Sequence, residues 1–193
     1  VAEADVTDRA AMARAFDAAE KAFGTVTLLV NNAGVAQQAA RAVELPEAEW
    51  RRVLDTDLDA VFFTAQEAAR RMLAAGKRGS IVNIASVLGL GVSKGTAAYA
   101  VAKAAVIQLT KALALELAFK GVRVNALAPG WFVTEINREY LTGEGAGITR
   151  QIPMGRFGEE GDLDGAFLLL ASDAGRYMAG AVIVVDGGVV LTI

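Results

Sequence analysis

Apolar positions along this chain of 193 residues fall into two alternating rhythms. Short, almost unbroken apolar runs occur at Val26-Thr-Leu-Leu-Val30, Ser80 to Ser86, Val122-Arg-Val-Asn-Ala-Leu127 and Val182-Ile-Val-Val185. Runs of this length and density read as strands, and their lack of alternation marks strands covered on both faces. The opening segment, Val1 to Asp5, reads as part of another strand. Between the runs the spacing changes to that of a helix. From Pro46 to Ala75, residues Val53, Leu54, Leu58, Val61 and Phe62 follow the helical period, Pro46 suits a first turn, and Gly76 and Gly79 stop the element. A second long helix runs from about Thr96 to Lys120 and is closed by Gly121, and a short one covers Asp162 to Leu170. Residues 131–158, with Gly143, Gly145, Gly147 and Pro153, keep neither rhythm and read as irregular.

Strand and helix in alternation mean βαβ units and a parallel sheet with helices on both faces, an α/β fold of three layers. Ligands of such sheets bind beyond the carboxyl ends of the strands. Chemistry is therefore expected at Asn31 to Gly34, at Ala85-Ser86 and at Ala128 to Gly130. The second long helix adds a point of its own. Between Ala97 and Ala118 its charged residues are Lys103, Lys111 and Glu116 alone. A helix so nearly apolar all round is covered on several sides. The sheet covers one; a second copy of the chain is the simplest cover for another, so a homo-oligomer, dimer or tetramer, is expected.

Composition narrows the chemistry. At 54% hydrophobic and 21% charged residues the chain can bury a large core, and its length suits a single domain over residues 1–193. A net charge of −3 without a basic cluster argues against nucleic acid as a partner. No run reaches the ~18 uninterrupted apolar residues that span a bilayer, and no signal-peptide pattern is seen, so no membrane partner is expected. Cys and His both number 0. That removes thiol and Ser-His catalysis, disulfides, and metals held by thiolate or imidazole. It also fits a reducing, cytoplasmic location. No cluster of acidic residues suggests a metal. Arg51, Arg52, Arg70 and Arg71 read as solvated helix faces, Trp50 and Trp131 as packing residues, and Trp131 with Phe132 as a possible pocket border.

Acid–base work must then fall to Asp, Glu, Lys or Tyr. Tyr99 and Lys103 stand four apart on the second helix, which puts their side chains on one face. A phenol with a pKa near ~10 is a poor base at neutral pH, and a cation within about 4–6 Å lowers that value. Ser86 ends a strand and brings its hydroxyl to the sheet rim where this helix begins. Singly these features are common. Together, Asn31-Asn-Ala-Gly34 after a strand, Ser86 thirteen residues before Tyr99, Tyr99-Ala-Val-Ala-Lys103, and Pro129-Gly130 after a strand with Thr134 beyond form an ordered set.

That set resembles the short-chain dehydrogenase/reductase family, in the group of 3-oxoacyl carrier-protein reductases and sugar or polyol dehydrogenases. The resemblance runs from Asp5-Val-Thr-Asp8 through Leu29-Val-Asn-Asn-Ala-Gly34 and Ile81 to Ser86 as far as Asp186-Gly-Gly188. It implies a Rossmann-like doubly wound sheet, three-layer αβα. It also implies hydride transfer between NAD or NADP and a small carbonyl or alcohol substrate. By it Tyr99 is the general acid/base, Ser86 polarises the carbonyl, and Lys103 also binds the nicotinamide ribose. Asp5 would sit by the adenine; Asn32, Ala33 and Gly34 would line the adenosine ribose; Pro129, Gly130, Val133 and Thr134 would hold the nicotinamide end. The stretch from Thr134 to about Gly158 would be a substrate lid.

Two departures stand out. The family's glycine-rich phosphate turn and second strand are absent from this sequence. Two βα units of ~30 residues each, the family's first βαβα portion, would account for them. The fold is expected N-terminally truncated by comparison, with an exposed sheet edge near Leu28. Asp57, in Leu54-Asp-Thr-Asp-Leu58, stands where the family usually has Asn. In relatives that Asn supports a water link to the lysine through its backbone carbonyl, so Asp57 is a fourth candidate for the catalytic set. Its carboxylate would hold Lys103 protonated and offset part of the pull on Tyr99. These departures also motivate an alternative: a non-catalytic relative acting through subunit association alone.

Overall fold

The computed structural model describes residues 1–134 and 138–193. Four parallel strands form one sheet in the order β1 (Leu28–Asn31), β2 (Gly79–Ile84), β3 (Val122–Pro129) and β4 (Val182–Val185). Leu29 lies opposite Ile81, Ile81 opposite Val124, and Ala128 opposite Val184. The sheet pleat sends Ile81 and Val124 to one face, where they pack with Phe16, Ala65, Met72, Ala114 and Leu117. Val82 and Leu127 point to the other and meet Leu170. Both neighbours on a strand are thus buried, which is why these strands read as unbroken apolar runs. On the first face lie α1 (Arg9–Phe23), α3 (Ala60–Ala74) and α4 (Ala97–Leu117); on the second, α6 (Asp164–Ala171). The expected doubly wound α/β architecture is present. Among the described residues β1 pairs only with β2, so one of its edges is free.

Several expectations need correction. Val1 to Asp5 is not a strand; it is irregular and leads into a turn at Val6-Thr7. Helix α1 was not read, because its sequence is Ala-rich and charged, with Met12 and Phe16 as its core contacts. Its ends were nevertheless written in the sequence. The Asp8 carboxylate accepts hydrogen bonds from Ala10 N (2.8 Å) and Ala11 N (3.0 Å), and Gly24 closes the helix at φ +83°. The helix expected from Pro46 to Ala75 is α2 (Glu47–Leu54), a π-helical segment at Asp55–Asp59, then α3. The extra residue per turn in that segment rotates Asp57 into the interior, where it is fully buried. Finally, 131–158 is not wholly irregular, since α5 (Arg138–Thr142) and a 3₁₀ stretch at Glu144–Gln151 lie within it. Residues 135–137 of the expected lid lie outside the described residues.

Helix α4 continues as 3₁₀ at Ala118–Lys120 and ends at Gly121, φ +84°. By length and composition Ala97–Lys120 could cross a membrane, with mean hydropathy 1.3. Here it is a core helix: Ala98, Ala102, Val106 and Thr110 pack inward. Arg71 is no solvated face. It reaches Asp17 (2.7 Å), Glu20 (2.8 Å) and Glu67 (2.7 Å) and lies over the Phe16 ring, tying α3 to α1.

Candidate active site

The carboxyl ends of β1, β2 and β3 meet the first turns of α4. Ser86 leaves β2 in extended conformation and opens a 3₁₀ turn, Val87–Gly89, accepting a hydrogen bond from Leu88 N (3.1 Å). That turn lies directly on α4. A Cβ at Gly89 would fall 2.7 Å from the carbonyl carbon of Lys103 and 2.8 Å from its oxygen, so glycine alone permits the approach. Sequence reasoning missed Gly89.

The turn brings Ser86 toward Tyr99, near enough for its hydroxyl to act on the phenol. The Lys103 ammonium stands 5.5 Å from the centre of the Tyr99 ring. Serine, tyrosine and lysine therefore converge. Electrostatically the result differs from expectation. Burial pushes the Tyr99 phenol above its ordinary value; the Ser86 hydroxyl pulls it down, and the Asp57 charge pushes it further up. Desolvation of the phenolate is the largest of these causes, and the expected pull of Lys103 is not among them.

Lys103 is 4% exposed and donates to Ile84 O at 3.2 Å. Asp57 Oδ2 lies 3.7 Å from its Nζ, an ion pair beyond hydrogen-bond reach, and has no hydrogen-bond partner. Asp57 Oδ1 accepts from Val35 N at 2.7 Å. Burial lowers the Lys103 pKa, with Asp57 opposing. Burial also raises the Asp57 carboxyl, with Lys103 opposing. Asp57 thus supports the charge on Lys103 as expected, yet burial outweighs it. Gly34 completes the cluster: a Cβ there would stand 3.3 Å from Asp57 Oδ1 and 3.5 Å from Lys103 Nζ.

Beneath the site runs a buried relay absent from the sequence reading. Asn31 Nδ2 donates to Asn83 Oδ1 (2.9 Å), Asn83 Nδ2 to Thr110 Oγ1 (2.9 Å), and Thr110 Oγ1 to Val106 O (2.8 Å). An asparagine in the middle of the apolar run Ile81-Val-Asn-Ile was its available signal.

The remaining candidates occupy two places. The Asp5 carboxylate is exposed and tied into its own turn by Thr7 N (2.9 Å) and Thr7 Oγ1 (2.8 Å), which lower its pKa. Its neighbour Val6 shares a small cleft with Asn31 and Ala33, and Asn32, Ala33 and Gly34 are all exposed at the strand end. At the other end, Gly130 N donates to Val185 O (2.9 Å), and a Cβ on Gly130 would meet Asp186 at 2.7 Å. Pro129 pairs with Val185, and Val133 N reaches Gly158 O at 3.5 Å. Thr134 is exposed, its carbonyl accepting from Arg138 N. Past this loop lies a cavity of about 120 Å³, bordered by Trp131, Phe132, Met154, Phe157, Val185 and Asp186.

Comparisons with known proteins identify the family. A family model described as enoyl-(acyl carrier protein) reductase matches residues 1–190. Galactitol 2-dehydrogenase (L-tagatose-forming) of Cereibacter sphaeroides is 43% identical over 192 residues, covering 96% of this chain and 73% of its own. Cis-4-hydroxycyclohexanecarboxylate dehydrogenase of Sinomonas cyclohexanicum is 40% identical over 184 residues, covering 95% and 74%. A short-chain type dehydrogenase/reductase from Mycobacterium marinum superposes with a TM-score of 0.92 at 38% identity, over 97% of this chain and 74% of that one. A gluconate 5-dehydrogenase from Burkholderia cenocepacia J2315, in complex with NADP and tartrate, gives 0.90 at 38% identity, over 98% and 74%. With motif order, sheet topology and sequence all in agreement, the chain belongs to the short-chain dehydrogenase/reductase family of NAD(P)-dependent oxidoreductases.

Proposed function

We propose that Tyr99 is the general acid/base of a hydride transfer between a small alcohol and its carbonyl form, with Ser86, Lys103 and Asp57 completing the set. The observation that carries this reading is the convergence of the three groups at the sheet rim, with the Lys103 ammonium 5.5 Å from the centre of the Tyr99 ring and Ser86 near enough to act on the phenol. NAD or NADP supplies or accepts the hydride when bound. In reduction, Tyr99 gives its proton to the oxygen of the carbonyl, which the Ser86 hydroxyl polarises. In oxidation, the Tyr99 phenolate takes that proton back. A phenol held above its usual value is protonated at neutral pH, which suits it to the reducing direction.

The donor set fits the nicotinamide-ribose end of the cofactor. An ammonium has three N–H donors. Ile84 O takes one of those of Lys103, and Asp57 acts on it through charge, so a donor is left for a ribose hydroxyl. The bare Cα of Gly34 beside Lys103 and of Gly130 against Asp186 keep the backbone low along this rim. The chain has no Gly-x-Gly-x-x-Gly turn to cradle a pyrophosphate, so its residues account for one end of the cofactor.

Relatives named for galactitol, gluconate and a hydroxycyclohexane acid support a small hydroxylated compound as substrate class. We read the working form as a homo-oligomer, tetramer or dimer, because Val101, Leu115 and Phe119 lie exposed on α4 and its extension. The test is Tyr99→Phe. With the site as assigned, turnover with NAD(P)H and a ketose falls about 10²–10⁴-fold while the fold survives. Retention of most turnover refutes the assignment and returns association without catalysis to consideration.

A further inference from the structure

Helix α4 carries Tyr99 in its first turn, and that turn is short of its own means of closure. The first N–H groups of a helix have no partner inside it. Thr96, in the capping position, makes no side-chain cap; its hydroxyl donates instead to Ser93 O at 2.8 Å. The first turn, Ala97-Ala98-Tyr99, contains no acidic residue. The missing acceptor comes from a distant part of the chain. Gln37 Oε1 accepts from Ala98 N at 2.7 Å and from Tyr99 N at 3.3 Å, 61 and 62 residues away in sequence. Its Nε2 donates to Gly95 O at 2.7 Å, where the backbone turns at φ +80°.

Gln37 is itself held on both sides. Val35 N is bound by Asp57, Ala36 O accepts from Arg52 Nη2 (2.7 Å), and Gln38 N is bound by Glu49 Oε1 (2.8 Å). The segment after β1 is therefore pinned to α2 and to the π-helical turn, with one long amide extended from it to the start of α4. Three hydrogen bonds occupy that amide on its own chain.

We propose that Gln37 is a positioning residue for Tyr99, capping α4 from outside the helix and fixing the turn that carries the phenol. It acts through the backbone of Tyr99 and touches no reacting atom. Through it, the segment that meets Lys103 by way of Asp57 also sets the place of Tyr99, so the proton-handling groups share one support. The inference rests on the assignment of Tyr99 as acid/base.

Residue-resolved hydrogen exchange on the full chain tests it without turnover, so its failure is distinguishable from failure of that assignment. Titration of the phenol in the near ultraviolet, with Tyr99→Phe identifying Tyr99 among the three tyrosines, is the second readout. In Gln37→Ala the Ala98 and Tyr99 amides exchange about fivefold faster or more, as for loss of a helix cap. The Tyr99 phenol then moves down toward the ordinary tyrosine value as water reaches it. Gln37→Glu loses the donor to Gly95 O but keeps the acceptor, so both amides keep their protection, while a new carboxylate at the helix start pushes the phenol further up. Unchanged protection in Gln37→Ala, faster exchange spread evenly along α4, or an unmoved phenol in both variants overturns the proposal. If Gln37→Ala does not fold, Gln37→Glu decides alone: protected amides with a raised phenol support it, and exposed amides or an unmoved phenol refute it.

Discussion

Replacing Asp57 with asparagine removes one charge and little else. An amide oxygen can still accept from Val35 N, so the backbone contact survives. Two opposing quantities decide the outcome. Unit charges about 4 Å apart attract by about 4 kcal/mol at the effective dielectric that suits protein sites. Asp57 and Lys103 stand 3.7 Å apart, so this is roughly what the variant forfeits. Against it, burying each ion costs several kcal/mol, and here both are nearly inaccessible. Burial is the first cause of both shifts, raising the carboxyl and lowering the ammonium, so desolvation wins. The ionised carboxylate is therefore less favoured in the fold than its neutral form, and Asp57→Asn, neutral at every pH, is expected to be more stable than wild type at neutral pH by about 1.4 kcal/mol for each pH unit by which the folded carboxyl titrates above the unfolded one. The sign in pH follows. With its folded-state pKa raised, Asp57 keeps a proton in the folded chain after the unfolded chain has released it. Wild-type stability thus falls as pH rises from the ordinary carboxyl value of 3.8 through the folded one. Asparagine has no proton to lose, so the gap between the proteins opens across that window, then levels, and closes below it. Urea midpoints for both proteins at a series of pH values measure this directly. A variant less stable than wild type at neutral pH, or a gap independent of pH, refutes the reasoning.

Because burial holds the Tyr99 phenol up, the alcohol-oxidising rate should climb with pH in the alkaline range while carbonyl reduction declines there; pH–rate profiles in both directions check this. Gly89→Ala drives a methyl group against the Lys103 backbone, and about 1–3 kcal/mol should be lost from the denaturant-derived stability. Arg71→Met severs two ion pairs between α1 and α3 and one within α3, an expected loss of about 1–2 kcal/mol that shrinks in high salt. Leu115→Glu with Phe119→Glu, both at exposed positions, should leave the unfolding midpoint of the protomer nearly unchanged and reduce the particle mass measured by light scattering.

Strands were the most legible part of the sequence because burial on both faces writes itself as uninterrupted apolar residues, and β4 was bounded to the residue. Helix α1 was overlooked because it buries one narrow line, Met12 and Phe16, under a charged surface, and period counting needs a broader stripe. Its caps, Asp8 and Gly24, carried more information than its interior. Ser86, Tyr99 and Lys103 were legible because helical spacing and a strand end fix them relative to one another. The net direction of the Tyr99 shift was not, since sequence supplies neighbours but no depth, and depth is the largest cause of that shift. Gly89 and Gln37 escaped notice for a related reason. Each acts on a segment far away in the chain, and no local pattern reports a contact across that distance.

The Asn31–Asn83–Thr110 relay also acts as a check on assembly. Asn31 faces Asn83 across the β1–β2 ladder, and Thr110 meets them from α4. Shifting either strand by one residue would turn its amide to the opposite side of the sheet. Each amide stranded without a partner in that apolar layer costs about 1–3 kcal/mol. Misaligned pairings are penalised, and the alignment that escapes the penalty is the one that delivers Tyr99 to Ser86. Correct folding and correct chemistry are thus selected by a single set of three uncharged side chains.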